Sequence, residues 1–103
     1  MPTQEWKNRM DDGDDQFSTE SIAAAEKVLQ SYIDGISRLQ EPTEEELMKK
    51  VKEVVLRLNA VNEEYDFFIE TLEREELCEF ILEHAKKAGM VADEDITEEW
   101  REW

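Results

Sequence analysis

Between Leu47 and Tyr65 the residues Leu47, Val51, Val54, Leu58, Val61 and Tyr65 recur at alternating steps of four and three. A strand cannot hold that spacing on one face, because its side chains change face at every residue, whereas a helix gathers all of them into one stripe. The stripe demands a long helix and an apolar surface opposite to cover it. Its start is marked as well. Pro42 biases Glu41 away from helical geometry, and Thr43 with Glu46 three residues on forms a capping box, each side chain taking the other's free backbone N–H. A helix is predicted over 43–64.

Two more segments offer the facing surface. After Ser18, a good N-cap followed by Glu20, the residues Ile22, Ala25, Leu29, Ile33 and Ile36 recur at helical steps, with Val28, Tyr32 and Leu39 widening the stripe and predicting a helix over 19–40. Gly35 weakens it by about 1 kcal/mol relative to Ala unless a close helix crossing uses the missing side chain. Thr71 as N-cap opens a third helix over 72–88, with Leu77, Phe80, Ile81, His84, Ala85 and Ala88 on its buried side. His84, Lys86 and Lys87 suit its negative end, and Gly89 supplies a left-handed cap. Phe67, Phe68 and Ile69 are consecutive, so they cannot share one helical face; they read as an extended turn plugging the end of the bundle. Thr97 begins a short C-terminal helix over 97–102 that presents Trp100 and Trp103.

The fold expected is all-α, a three-helix bundle with a short C-terminal helix. A chain of 103 residues suits one core, so residues 18–103 form a single helical domain. Residues 1–17 form an acidic arm in which the repulsion within "DDGDD" and the freedom of Gly13 favour mobility. Trp6, Met10 and Phe17 could nonetheless dock the arm onto the body.

Charge narrows the partners. Acids outnumber bases 28 to 12, giving a net charge of -16. Nucleic acids and anionic membranes are recognised by Lys and Arg that neutralise phosphate, so direct binding to either is disfavoured, while a basic protein remains admissible. The charge is concentrated in residues 63–83, where nine acids stand against one base. With a single Cys, no signal-peptide pattern and no long apolar run, the expected setting is the reducing cytoplasm.

No familiar catalytic pattern is present. The residue three before His84 is Ile81, so the Glu-x-x-His of di-iron bundles is missing; there is no HExxH, no calcium loop and no Gly-rich phosphate loop. No metal site, cofactor or catalytic residue is assigned. Cys78 and His84 lie six residues apart on one predicted helix, about 9 Å along its axis and too far to act together. Neighbouring glutamates should raise the Cys78 pKa, making it a core residue and not a nucleophile. His84 reads as a helix-end and packing residue.

What remains is polar. Either the carboxamides of Asn59 and Asn62 satisfy the backbone of the corner joining the second and third helices, or with Glu63, Glu70 and Arg74 they line a polar notch between them. Glu73, Glu76 and Glu83 can share one face of the third helix, as a docking surface for a basic protein or as a solvated face that keeps the chain soluble. The segments "LNAVNE", "IETLEREELCEFI", "AKKAGM" and "TEEWREW" resemble a family of small acidic bacterial proteins of unassigned function over about residues 58–103. The resemblance implies a bacterial setting and carries over no site residue.

The expected function is therefore a non-enzymatic protein-binding or regulatory module. The alternative is a small metal-dependent hydrolase, or other enzyme, built on the notch at Asn59, Asn62, Glu63 and Glu70. The large apolar side chains of Tyr32, Phe67, Phe68, Phe80, Trp100 and Trp103 further suggest a two-fold homodimer.

Overall fold

A computed structural model describes residues 1–92 and 94–103. Its elements among these residues are four helices: α1 (Pro2–Asp11), α2 (Thr19–Ser37), α3 (Glu44–Glu64) and α4 (Thr71–Lys87). The all-α expectation holds.

The α3 helix opens on the expected capping box. Thr43 Oγ1 accepts from the Glu46 backbone N–H at 3.1 Å, and Glu46 Oε1 accepts from the Thr43 N–H at 3.0 Å. Its buried stripe runs Leu47, Val51, Val54, Val55, Leu58 and Asn62. Val61 and Tyr65 are only half-buried. A repeat of three and four advances 3.5 residues per turn, whereas a straight helix advances 3.6, so the seam drifts and a carboxamide takes the place of the last apolar position.

The α2 helix packs alongside, burying Ile22, Ala25, Val28, Leu29, Tyr32 and Ile36. Ser18 and Ser21 cap its start reciprocally, each hydroxyl accepting the other's backbone N–H at 3.0 Å. It stops at Ser37, three residues short of the expected end, and the chain turns through Glu41 at φ 45°. Gly35 faces the Lys50 side chain of α3, whose nearest atom would lie 3.5 Å from an added Cβ. That is ordinary van der Waals contact.

The N-terminal segment docks. Pro2 occupies the first turn of α1, where its missing N–H costs nothing, and Trp6 is completely buried, stacked on Phe17 at 5.7 Å and edge-on to Phe68 at 5.8 Å. The apolar side chains of the segment, and not the repulsion within "DDGDD", decide its course. Asp12 to Asp15 form the turn that follows, exposed except for the half-buried Asp14, with Gly13 at φ 104°.

At the other end, Glu70 and not Thr71 is the N-cap of α4, its backbone N–H donating to Glu73 Oε1 at 3.0 Å. Gly89 at φ 117° ends the helix as expected and turns Met90 inward, 4% exposed. The tail forms one helical turn, with the Trp100 and Arg101 N–H groups donating to the Thr97 carbonyl. The helix expected over 97–102 goes no further, because the Asn59 side chain pairs with the backbone at Trp100 and Glu102 and draws the chain away. Of the six aromatics that suggested a dimer, Tyr32 and Phe68 are buried, Phe80, Trp100 and Trp103 are half-buried, and Phe67 alone is exposed. The surplus of apolar surface is smaller than the sequence indicated.

Because Gly35 is helical and an added methyl meets no clash, Gly35→Ala should raise stability by about 0.5–1 kcal/mol through helix propensity. Urea denaturation followed by circular dichroism measures it; a loss of stability would show that the α2–α3 crossing needs the glycine.

Candidate functional site

The α3–α4 corner begins where the apolar stripe of α3 gives out. Asn62 is 3% exposed, its Oδ1 accepts the Ile69 N–H at 2.9 Å, and its backbone carbonyl accepts the Phe67 N–H at 2.7 Å. One residue thus supplies partners for two N–H groups of the turn. Between them the chain passes through Asp66 at φ 61° and Phe67 at φ 56°. Asp tolerates this left-handed region; a Phe there is an outlier costing about 1–3 kcal/mol. The turn sends Phe68 and Ile69 into the core and Phe67 outward, 64% exposed.

The predicted notch residues do not converge. Asn59 serves the tail, its Nδ2 donating to the Trp100 carbonyl at 2.8 Å and its Oδ1 accepting the Glu102 N–H at 3.0 Å. Asn62 serves the corner. Glu63 and Glu70 are exposed beside Phe67 in sequence, and Arg74 lines a groove with Cys78, Lys86 and Arg101. Of the two readings of the carboxamides, Asn62 adopts the structural one at the corner, while Asn59 pairs with the backbone of the C-terminal tail instead. Among the described residues no three His, Cys, Asp or Glu side chains group as a metal-ligand set.

The acidic face of α4 is also divided. Glu73 is 2% exposed; its Oε2 takes a charged bond from Arg9 Nη1 at 2.6 Å, and its Oε1 accepts from Gln16 Nε2 at 2.9 Å as well as from Glu70 N–H. Glu76 accepts from Arg9 Nη2 and from the Trp6 indole N–H at 3.1 Å. Burial alone would make Arg9 easier to deprotonate, but the hydrogen bond and charge of Glu76, with the charge of Glu73, raise its pKa above the ordinary value. Two of the three carboxylates proposed for docking therefore hold α1 in place. Glu83 is exposed and lies 3.8 Å from Lys87 in a surface pair worth little. Arg9 carried no mark in the sequence as their partner.

Cys78 is half-buried, its Sγ 3.4 Å from Thr97 Oγ1. Burial, with a lesser contribution from Asp95, pushes its pKa up against the opposing Thr97 hydrogen bond. The direction matches expectation; the cause is burial and not the glutamates of its own helix. His84 lies against Phe80, ring centres 4.4 Å apart, and burial and Lys87 lower its pKa. Asp95 organises the tail, accepting from the Thr97 N–H at 2.9 Å and from Arg101 Nη2 at 3.0 Å. Burial works to raise its pKa, but the hydrogen bonds from Thr97 and Arg101 outweigh it and hold the carboxyl below its ordinary value.

No family model matches the chain, and neither a curated protein nor a solved structure does.

Two outcomes follow from this geometry. Asn62→Ala strands the buried Ile69 N–H and should cost about 1–3 kcal/mol in denaturant unfolding; a neutral result would mean that water reaches the corner. Asp95 has a folded pKa below its unfolded value of about 3.9, so its contribution is fully present above that pH and is lost as pH falls through the folded pKa. Melting temperatures of wild type and Asp95→Asn should therefore differ at neutral pH and converge in acid, and a gap unchanged by pH would refute the assignment.

Proposed function

We propose that the protein is a non-enzymatic binding module for a basic protein, and that the α3–α4 corner is its contact surface. The observation that carries this reading is Phe67, an aromatic side chain 64% exposed on a backbone at φ 56°. A residue free to be anything would be Gly at that position; a large apolar group kept there at a cost in strain suits an anchor that enters a partner's pocket. Leu72 stands nearby in the chain, 53% exposed. Exposed Glu63, Glu64, Asp66 and Glu70 flank the pair in sequence. An apolar centre with an acidic rim complements an apolar pocket ringed by Lys and Arg, and such complementarity acts chiefly on encounter rate and specificity.

This reading moves the basic-partner idea from Glu73 and Glu76, which Arg9 occupies, to carboxylates with no ion-pair partner among the described residues. The bland alternative, an acidic surface serving solubility, gives no reason for Phe67. The hydrolase alternative needs Asn59 and Asn62 free to act, and each spends its side chain on backbone groups.

Phe67→Gly separates the readings. Relief of the left-handed strain should leave stability unchanged or raise it by about 0.5–1 kcal/mol, while affinity for the partner falls at least about tenfold. Immobilised wild type, Phe67→Gly and the triple variant Glu63→Gln, Glu64→Gln, Asp66→Asn are exposed to native cell extract at low and physiological salt. A basic protein held by wild type at physiological salt and lost from both variants is the expected result. Recovery of the same proteins on all three would end the proposal.

A further inference from the structure

At the far end of α3 the chain leaves an open groove. Gly89 reverses the chain after α4, the Met90 N–H donates to the Ala85 carbonyl at 3.0 Å, and the Val91 N–H donates to Glu44 Oε1 at 3.0 Å, tying the tail to the first turn of α3. Asp95, Thr97 and Arg101 then hold the tail in its own turn. Between the start of α3 and this tail lies a groove of about 740 Å³, inside the range of small-ligand and peptide-side-chain clefts.

Its lining has one sign of charge. Met48, Met90, Val91, Ala92 and Ile96 supply the apolar part, and the carboxylates are Glu44, Glu94, Asp95, Glu98 and Glu99, with no Lys, Arg or His among the described lining residues. Glu44 is partly engaged by Val91, and Asp95 by Thr97 and Arg101. Glu94, Glu98 and Glu99 have no cation within ion-pair distance among the described residues. Five carboxylates exclude an anionic ligand by repulsion, and a purely apolar ligand would leave that mutual repulsion unrelieved. A cation alone would not use the apolar lining of Met48, Val91 and Ile96, where the methionine adapts to varied side chains.

We propose that this groove binds a short peptide segment that carries both Lys or Arg and aliphatic side chains, separately from the α3–α4 corner. The aliphatic groups cover Met48, Val91 and Ile96, while the cationic heads reach Glu94, Glu98 and Glu99. Glu44 and Met48 lie toward the end of α3 away from the corner, about 24–30 Å from Glu64 along the axis at 1.5 Å per residue, whereas Glu98 and Glu99 adjoin Trp100, which Asn59 holds nearer the corner. Loss of either surface leaves the other intact.

The test titrates full-length ¹⁵N-labelled protein at physiological salt with three probes: a short capped peptide alternating Lys and Leu, its Glu–Leu counterpart, and spermine. Saturable shifts confined to Met48, Val91, Ile96 and Glu98 with the Lys–Leu peptide, absent with the Glu–Leu peptide and at least about tenfold weaker with spermine, are expected. Glu98→Gln with Glu99→Gln, both exposed, should weaken the peptide about tenfold with the melting temperature unchanged. Phe67→Gly should leave the peptide affinity as it is. Shifts spread over every acidic surface, spermine binding as tight as the peptide, or a peptide indifferent to the double variant would each overturn the proposal, whatever becomes of the corner.

Discussion

The burial of Trp6 sets the terms for the rest of the molecule. An indole enclosed between Phe17 and Phe68 brings α1, the link to α2 and the α3–α4 corner to one point, and its N–H needs an acceptor there. Glu76 is that acceptor. Two carboxylates brought this close to an apolar cluster would repel each other and lose hydration, and Arg9, one helical turn after Trp6, spans both. The pair is not isolated from water, since the Arg9 side chain is 23% exposed, which keeps its desolvation cost moderate. Gln16 then uses the remaining valence, donating to Glu73 and to the Phe68 carbonyl. Aromatic packing drives the assembly, and the charged fork fixes its orientation.

The helices of the body were legible because each is written twice, once in apolar spacing and once in its termini. Thr43 with Glu46, Ser18, and Gly89 behave as the sequence indicated. Docking of residues 1–17 was legible only as an alternative. Local sequence shows the repulsion of "DDGDD" directly, whereas the attraction that outweighs it, Trp6 with Phe68 and Arg9 with Glu73 and Glu76, joins residues more than sixty positions apart. The tail failed for a similar reason: Thr97 has the local signals of a helix start, and Asn59 on a distant helix overrides them. The corner was half legible. The sequence has Phe67, Phe68 and Ile69 plug the end of the bundle together as an extended turn; Phe68 and Ile69 do so, but the left-handed backbone at Asp66 and Phe67 turns Phe67 outward, and no residue there announces it.

The concentration of acid in residues 63–83 resolves into groups with different physical work. Glu73 and Glu76 are structural, and half of their combined charge is cancelled at short range by Arg9. Glu63, Glu64, Asp66 and Glu70 are exposed and act on the surroundings. Counting carboxylates along the chain treats these groups alike, so it overstates the field on α4 and understates what is distinctive about the corner, where charge surrounds an exposed aromatic.

Separation along α3 gives the corner and the Glu44 end of the groove electrostatic independence. At physiological ionic strength the screening length is about 8 Å, several times shorter than the roughly 30 Å that α3 places between its ends. Neutralising the corner therefore leaves the local potential at Glu44 nearly unchanged, and coupling between these two ends has to pass through packing. Packing offers little room for it: Leu47, Val51, Val55 and Leu58 are at most 1% exposed and fill the interval between the ends in a continuous stripe. A close-packed stripe of that kind has one arrangement and resists sliding. If a single basic protein engages both ends, the gain comes from tethering, since the second contact forms at the effective concentration set by the first. Such binding would be steeper in salt than either contact alone, because counterions are released at two places at once, and it would require a partner whose basic segments are spaced to span the length of α3.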